Sequence, residues 1–158
     1  MSTEKSPVKE LITCNNHLQV APDDLIRSVA VKMPKSHSSA AVVVDEKTGK
    51  LVGIITEQDI VERAVGVRRN VDETTVDEIM TKDPITISVD TPLTEALELL
   101  TQHGIRTLPI MEADKVVGIL DIRDLYDILN RLLKEEVAFR DGIINYAYGD
   151  GYGAGYQK

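Results

Sequence analysis

The chain has 158 residues, a single cysteine and a formal net charge of −8. That acidic balance excludes a general nucleic-acid surface, which needs clustered lysine and arginine, although a few local donors can still bind one small anion. The longest apolar runs have about five residues where a membrane span needs about 20, and the N-terminus lacks a signal-peptide core. The lone Cys14 fits a reducing compartment. We therefore expect a cytoplasmic protein without a membrane or nucleic-acid partner.

The first half of the chain contains an opening turn and then the order strand, helix, strand, strand, helix. The elements are a turn at 8–12, a strand at 18–21, a helix after Pro22-Asp23, strands at 40–44 and 51–55, and a helix from Thr56 to Gly66. The two apolar strands form a hairpin across the polar residues 45–50. A short polar link at 67–74 follows.

The second half of the chain repeats that order. Its elements are a turn at 75–80, a strand at 85–89, a helix from Pro92 to His103, strands at 107–110 and 115–120, and a long helix from Asp121. Thr75 and Glu78 form a capping box at the start of the turn. Thr91 is the predicted N-cap of the next helix, with Pro92 at its first position, and Gly104 ends that helix.

Two stretches share one pattern: Gly, two aliphatic residues, a polar residue, two variable residues, Asp and an aliphatic residue. They are residues 53–60 and 118–125, which lie 65 positions apart (118 − 53). A repeat of this size indicates one supersecondary unit used twice. Each unit has a three-stranded sheet whose hairpin strands are nearly all apolar, as in strands covered on both faces. We therefore predict an α/β fold in which two units pack sheet against sheet with pseudo-two-fold symmetry.

The predicted organisation is a first unit at 8–66, a link at 67–74, a second unit at 75–134 and an extension at 135–158. Four of the ten glycines fall near the end of the chain among tyrosines, at positions 149, 151, 153 and 155. Such a composition favours a tail that is disordered, or that becomes ordered only on a partner.

The order of elements and several motifs together resemble a tandem pair of CBS (cystathionine-β-synthase) motifs, also called a Bateman module. The motifs are Gly53-Ile-Ile-Thr-Glu-Gln-Asp, Val76-Asp-Glu-Ile-Met-Thr-Lys-Asp-Pro, Arg106-Thr-Leu-Pro-Ile and Gly118-Ile-Leu-Asp-Ile-Arg-Asp-Leu. The resemblance covers residues 8–134, and it is the set in order, twice, that is specific.

This resemblance implies a pseudo-two-fold α/β unit with two clefts between the motifs, which dimerises into a flat disk. It also implies an adenosine-containing ligand such as AMP, ADP, ATP, S-adenosylmethionine or an NAD-type molecule. The implied role is regulation of an enzyme, channel or transporter. A chain with little beyond the pair resembles a free-standing sensor.

We call the pattern at residues 53–60 the first signature and the pattern at residues 118–125 the second signature. In the family that the chain resembles, the Ser or Thr at the polar position of the signature binds ligand phosphate, and the Asp accepts from the ribose hydroxyls. Thr56 and Asp59 occupy those positions. Thr56 stands at a predicted helix N-terminus, where backbone N–H groups and the helix dipole favour an anion. Asp59 is an acceptor suited to two vicinal hydroxyls. The alternative is a capping arrangement that stabilises the helix by about 1 kcal/mol without any ligand.

The second signature departs from the first. Asp121 stands at the phosphate position, where it would repel a phosphate unless a metal bridged them, whereas Asp124 keeps the ribose position. Arg123 and Arg106 lie nearby in sequence and offset that charge. The second cleft is therefore expected to be empty, to take an uncharged adenosyl group such as S-adenosylmethionine, or to bind differently.

Further ligand contacts are implied by position, because in the family a hairpin strand and the loop before the first strand wrap the adenine. These positions hold Asn16, Leu18, Ala40 and Val42 in the first unit, and Pro84, Ile85, Arg106, Thr107, Leu108 and Pro109 in the second. Lys35 and His37 lie in a polar loop within reach of a phosphate. The alternatives are core packing for the strand residues and a solvated loop for the polar ones.

The sequence offers no Ser-His-Asp or Cys-His arrangement and no Gly-rich phosphate loop. Cys14 and His17 supply only two of the four ligands that a structural zinc site uses. We therefore predict a non-enzymatic regulatory module without cofactor or metal. Its predicted partners are an adenosyl ligand, a second copy and a regulated protein. The alternative is a dimeric scaffold that binds no nucleotide and engages a partner through its tail or acidic surface.

Overall fold

The protein is described by a computed structural model covering residues 7–11 and 17–128, together with residues 130, 131, 133, 134 and 137. The chain divides into two compact units, residues 1–122 and residues 123–158. The first unit holds both sheets, and the described residues of the second unit are helical. None of the described helices has the length and apolar character that crossing a bilayer requires. The predicted tail at 138–158, Cys14 and Asn16 lie outside the described residues.

The first sheet is built around a strand that is buried from end to end. In chain order the first repeat comprises a 3-10 helix (Val8–Leu11), β1 (Leu18–Val20), α1 (Ile26–Lys35), β2 (Ala40–Val44), β3 (Leu51–Thr56), α2 (Glu57–Ile60) and a π-helix (Val61–Val65). β1 pairs parallel with β2, and β2 pairs antiparallel with β3. All of β2 is buried, because Ala41 and Val43 pack among residues of α1, α2 and the π-helix while the strand also contacts the second sheet.

The second repeat supplies three strands of its own sheet and one strand of the first. Its elements are α3 (Val76–Ile79), β4 (Thr81–Lys82), β5 (Ile87–Ser88), α4 (Leu93–His103), β6 (Thr107–Glu112) and β7 (Lys115–Asp121). The second sheet has the order β5-β6-β7, whereas β4 pairs with β3 and gives the first sheet four strands rather than the predicted three. A Cβ atom at Gly53 would lie 2.5 Å from the Met80 sulfur, so this close approach explains the glycine of the first signature.

The first element of each repeat forms backbone hydrogen bonds with the other repeat. The opening 3-10 helix bonds to the chain before α4, and α3 bonds to the chain before α1. The four backbone hydrogen bonds are Val8 N to Thr91 O (2.9 Å), Lys9 N to Val89 O (2.8 Å), Val76 N to Asp24 O (2.9 Å) and Asp77 N to Pro22 O (2.9 Å). The predicted α/β class with two sheets is confirmed, and this exchange ties the two repeats together.

Three local predictions were wrong in detail. The N-cap of α4 is Pro92, because the Thr91 hydroxyl instead accepts from the Ser88 N–H at 3.0 Å and closes a turn. The strand predicted at 85–89 is reduced to β5, because Asp83 adopts a left-handed φ of 46° and its N–H points to Val52 of β3. The helix predicted over 56–66 changes to a π-helix after Ile60.

The capping box of α3 gives the fold a pH dependence. The Thr75 backbone N–H, with smaller effects from the Thr75 hydroxyl and Arg69, lowers the pKa of the Glu78 carboxyl. The bonded carboxylate therefore stabilises the folded chain at neutral pH, and its contribution is lost as the pH falls through the depressed folded pKa. We expect Glu78→Gln to lower the melting temperature at neutral pH, and this difference to shrink below the ordinary glutamate pKa of about 4.3. Thermal unfolding across that range checks this, and a difference independent of pH would contradict it.

Candidate functional site

Thr56 lies where the first hairpin gives way to a helix. It is the last residue of β3, it pairs with Ala40 of β2, and it is the N-cap of α2. The next residue, Glu57, donates its backbone N–H to the Ser39 carbonyl at 3.0 Å. The strand end therefore holds the threonine at a defined position beside the start of β2.

Thr56 and Asp59 bind each other. Asp59 Oδ2 accepts from the Thr56 backbone N–H at 2.9 Å and from the Thr56 hydroxyl at 2.8 Å. The Asp59 N–H donates back to that hydroxyl at 3.1 Å. This is a complete capping box, which stabilises α2 whether or not a ligand is present. Because the hydroxyl proton already points at Asp59, Thr56 can donate it to a phosphate only by turning it away.

The other oxygen of Asp59 faces an arginine that sequence analysis did not single out. Asp59 is only 9% exposed, and its Oδ1 lies 3.4 Å from Nε of Arg63. Arg63 also donates to the Ile79 carbonyl at 3.0 Å and to the Thr81 hydroxyl at 3.3 Å. The signal present in the sequence was an Asp and an Arg four residues apart on a predicted helix, a spacing that puts both side chains on one face.

Asp121 makes a contact between the two repeats. Its Oδ2 accepts from the Ser39 hydroxyl at 2.9 Å, and both residues are half-buried. Sequence analysis did not name Ser39, because the contact joins residues 82 positions apart. The repeat offered one hint, since Ser39 precedes β2 as Arg106 precedes β6.

The two hairpins match in register, which defines the equivalent residues. Ala40 pairs with Thr56 as Thr107 pairs with Asp121, and both hairpins have an irregularity after the fourth residue of their first strand. The Ile122 N–H donates to the Arg106 carbonyl at 2.8 Å, as Glu57 donates to Ser39. Thr56 is therefore equivalent to Asp121, and Ser39 is equivalent to Arg106.

The strand residues predicted to line the adenine are mostly buried. Ala40, Val42, Leu108 and Pro109 are buried, and Leu18 and Thr107 are half-buried. Burial of this kind satisfies the core-packing alternative, and adenine contact by these residues stays a prediction.

The remaining predicted residues are polar or lie at the surface. Lys35 ends α1, and His37 follows in a turn with a φ of 53°; both are exposed. Ile85 is exposed, in the loop between β4 and β5. Arg123 and Asp124 belong to the second unit, where both are exposed on its helix.

A groove of about 330 Å³ lies at the opposite end of β3 from Thr56. It is lined by Lys50, Leu51, Asp83, Pro84, Thr86, Met111 and Asp114. Leu51 and Thr56 are the two ends of β3, five residue steps apart, which is about 17 Å at 3.3 Å per residue. The groove is therefore distinct from the Thr56–Asp59 pair.

The family model of the CBS domain matches residues 8–66 and again residues 76–131. The chain belongs to the CBS domain family. An uncharacterized 17.7 kDa protein in the bps2 3' region of Acidianus ambivalens is 40% identical over 107 residues, covering 67% of this chain and 63% of that protein. The chain spans 63% of that relative and 23% of two CBS domain-containing proteins of Arabidopsis thaliana.

Solved CBS structures share the fold. The CBS domain protein PAE2072 from Pyrobaculum aerophilum, complexed with AMP, gives a TM-score of 0.69 at 27% identity, covering 75% of this chain and 89% of that chain. The CBS domain pair of protein MJ0100, in complex with 5'-methylthioadenosine and S-adenosyl-L-methionine, also gives a TM-score of 0.69. Its identity is 28%, and the match covers 78% of this chain and 99% of that chain. The resemblance read from the motifs is thereby confirmed.

Proposed function

We propose that this chain is a non-enzymatic regulatory module that binds an adenosyl ligand through Thr56 and Asp59. The observation that carries the proposal is the Asp59 carboxylate, which is buried at a helix N-terminus and bonded to Thr56 through Oδ2 alone. Its Oδ1 keeps acceptor capacity for a ribose hydroxyl. The similar CBS proteins complexed with AMP and with S-adenosyl-L-methionine support this class of ligand.

We assign the phosphate end of the ligand to Thr56 and Arg106. The Ser39–Asp121 bond joins the residue before one hairpin to the signature of the other. The equivalent pair on the other side is Arg106 and Thr56. A guanidinium binds phosphate through two parallel N–H donors, so this pair suits an anionic ligand. Arg106 therefore serves the first signature better than it offsets the charge of Asp121, which was the interpretation from sequence.

The binding cleft next to Asp121, which we call the Asp121 end of the module, suits an adenosyl group that places no phosphate beside this carboxylate. Its carboxylate already accepts from Ser39, and a second anion at that place would be repelled. The two ends of the module would therefore differ in ligand charge.

A second copy is proposed to cover aliphatic side chains that the first unit leaves exposed. Val61 and Val65 of the π-helix are 59% and 60% exposed, and Val31 of α1 is 51% exposed. Val61 and Val65 lie four positions apart, a spacing that places them on one helix face, and exposed apolar patches commonly mark an interface. Helices that form the interface would also pass the state of ligand binding to a regulated protein.

Thermal-shift measurements with AMP, ATP, S-adenosylmethionine and NAD test the ligand class. A ligand at 100 times its dissociation constant stabilises the folded chain by about 2.7 kcal/mol. For a chain of this size we expect the melting temperature to rise by roughly 5–10 °C. If none of the four compounds raised the melting temperature, the result would contradict the proposal and favour the dimeric scaffold.

A further inference from the structure

We propose that Arg63 is the positioning residue that fixes the ribose-binding oxygen of Asp59. The inference rests on the proposed function, because it concerns how the same carboxylate meets the ribose. It goes further by naming the group that makes this carboxylate selective for ribose hydroxyls.

Asp59 is held at one oxygen by hydrogen bonds from Thr56 and at the other by an ion pair with Arg63. Both bonds from Thr56 end on Oδ2, at 2.9 and 2.8 Å. Rotation about the Cβ–Cγ bond moves both oxygens together, and carboxylate torsions are broad, so a contact at Oδ1 restrains the same rotation as the Thr56 bonds do at Oδ2. The group facing Oδ1 is the Arg63 guanidinium, whose Nε lies 3.4 Å away. Arg63 therefore completes the restraint of the carboxylate by holding it at Oδ1 as well.

The guanidinium is itself held by groups outside the first repeat. One of its nitrogens, Nη1, donates to the Ile79 carbonyl at the end of α3 and to the Thr81 hydroxyl at the start of β4. A guanidinium is planar with its donors in a fixed fork, so two anchored contacts fix the direction of its Nε–H. The arginine is thus an anchored positive charge beside Asp59 Oδ1.

By positioning Asp59, Arg63 influences the binding of only one part of the ligand, the ribose. Each carboxylate oxygen accepts about two hydrogen bonds, so Oδ1 can accept from a ribose hydroxyl while it pairs with Arg63. Adenine and phosphate do not use that position. The second signature has no equivalent, because the residue four positions after Asp124 is Ile128. Loss of Arg63 would therefore weaken recognition of the ribose while leaving the other contacts in place.

Calorimetry on the full chain with AMP, 2'-deoxy-AMP and 3'-deoxy-AMP tests this role. We expect the parent chain to bind AMP about tenfold more tightly than at least one deoxy analogue, as one hydrogen bond to a charged group implies. In Arg63→Met we expect AMP affinity to fall by about tenfold, that analogue to be unaffected, and the preference to disappear. Arg63→Lys should restore part of the preference, because lysine keeps the charge without the fork.

Arg69→Met is the matched control, since Arg69 also pairs with a carboxylate, that of Glu78 at 3.0 Å, but does not touch Asp59. It should keep the parent's preference for AMP. Equal weakening of AMP and both analogues in Arg63→Met, or an unchanged preference, would overturn the role of Arg63 while the proposed function stands. If the parent binds AMP without preference for the ribose hydroxyls, the inference falls alone. If it binds none of the three, the inference falls, and the proposed function falls with it only if the thermal-shift series also finds no adenosyl ligand. Circular dichroism identifies a variant that has lost its fold, and Arg63→Lys then decides.

Discussion

Replacing both Thr56 and Asp59 by alanine should abolish binding of an adenosyl nucleotide, with affinity falling by roughly 100-fold or more. The pair is proposed to supply one hydrogen bond to the phosphate and one to the ribose, and both involve a charged group. Each such bond contributes about 1.5–3 kcal/mol. Calorimetry with the best ligand from the thermal-shift series measures the loss.

The same two residues form a capping box, so the double variant also loses stability. It therefore needs a control variant that loses a comparable capping box away from the proposed site. Removing an N-cap destabilises a helix by about 0.5–2 kcal/mol, and the double variant is therefore expected to melt earlier with an unchanged circular dichroism spectrum. Thr75→Ala with Glu78→Ala removes the capping box of α3, in which the Glu78 carboxylate likewise accepts from the backbone N–H and the hydroxyl of the N-cap threonine. That control should bind as the parent does. Retained affinity in Thr56→Ala with Asp59→Ala would end the site assignment.

Local chemistry is what made the fold predictable from sequence. The hairpins, the capping box at Thr75 and the left-handed Gly104 that ends α4 depend on residues within a few positions of each other. Because the sequence repeats, the elements predicted in the half with the clearer pattern also indicated the elements of the other half. The addition of β4 to the first sheet was not predictable in this way, because a two-residue strand carries no periodicity and its partners in β3 lie 29 (82 − 53) and 27 (81 − 54) positions earlier.

In the candidate site, too, residues close in sequence were predictable, whereas contacts between distant residues were not. Thr56 and Asp59 were found because one short motif holds both, and the structure shows them in the capping geometry that the sequence offered as the alternative to binding. Arg63 reaches Ile79 and Thr81 across 16 and 18 positions, and Ser39 reaches Asp121 across 82. Contacts of that range depend on how the two repeats pack, which a single sequence does not state.

Replacing Asp121 by threonine should let a second AMP bind, raising the stoichiometry from one to two per chain. The substitution copies the residue found at the equivalent position of the first repeat, Thr56. Removing a carboxylate about 4 Å from a phosphate removes a repulsion of about 1 kcal/mol in water and about 4 kcal/mol near a protein surface. We therefore expect AMP affinity at that end to rise by roughly tenfold or more. Calorimetry with AMP and with adenosine separates this gain in phosphate binding from a general opening of the cleft.

Ser39→Ala is the matched control, because it breaks the bond between the repeats but keeps the Asp121 charge. It should bring no gain in AMP binding, whereas Asp121→Thr should improve AMP without improving adenosine. Adding Ser39→Arg to Asp121→Thr would reproduce the Thr56 and Arg106 pair at the second end, and we expect AMP to bind there more tightly still, since a guanidinium donates to phosphate through two N–H groups. An equal gain in Ser39→Ala would show that the bond between the repeats, and not the charge, keeps phosphate out.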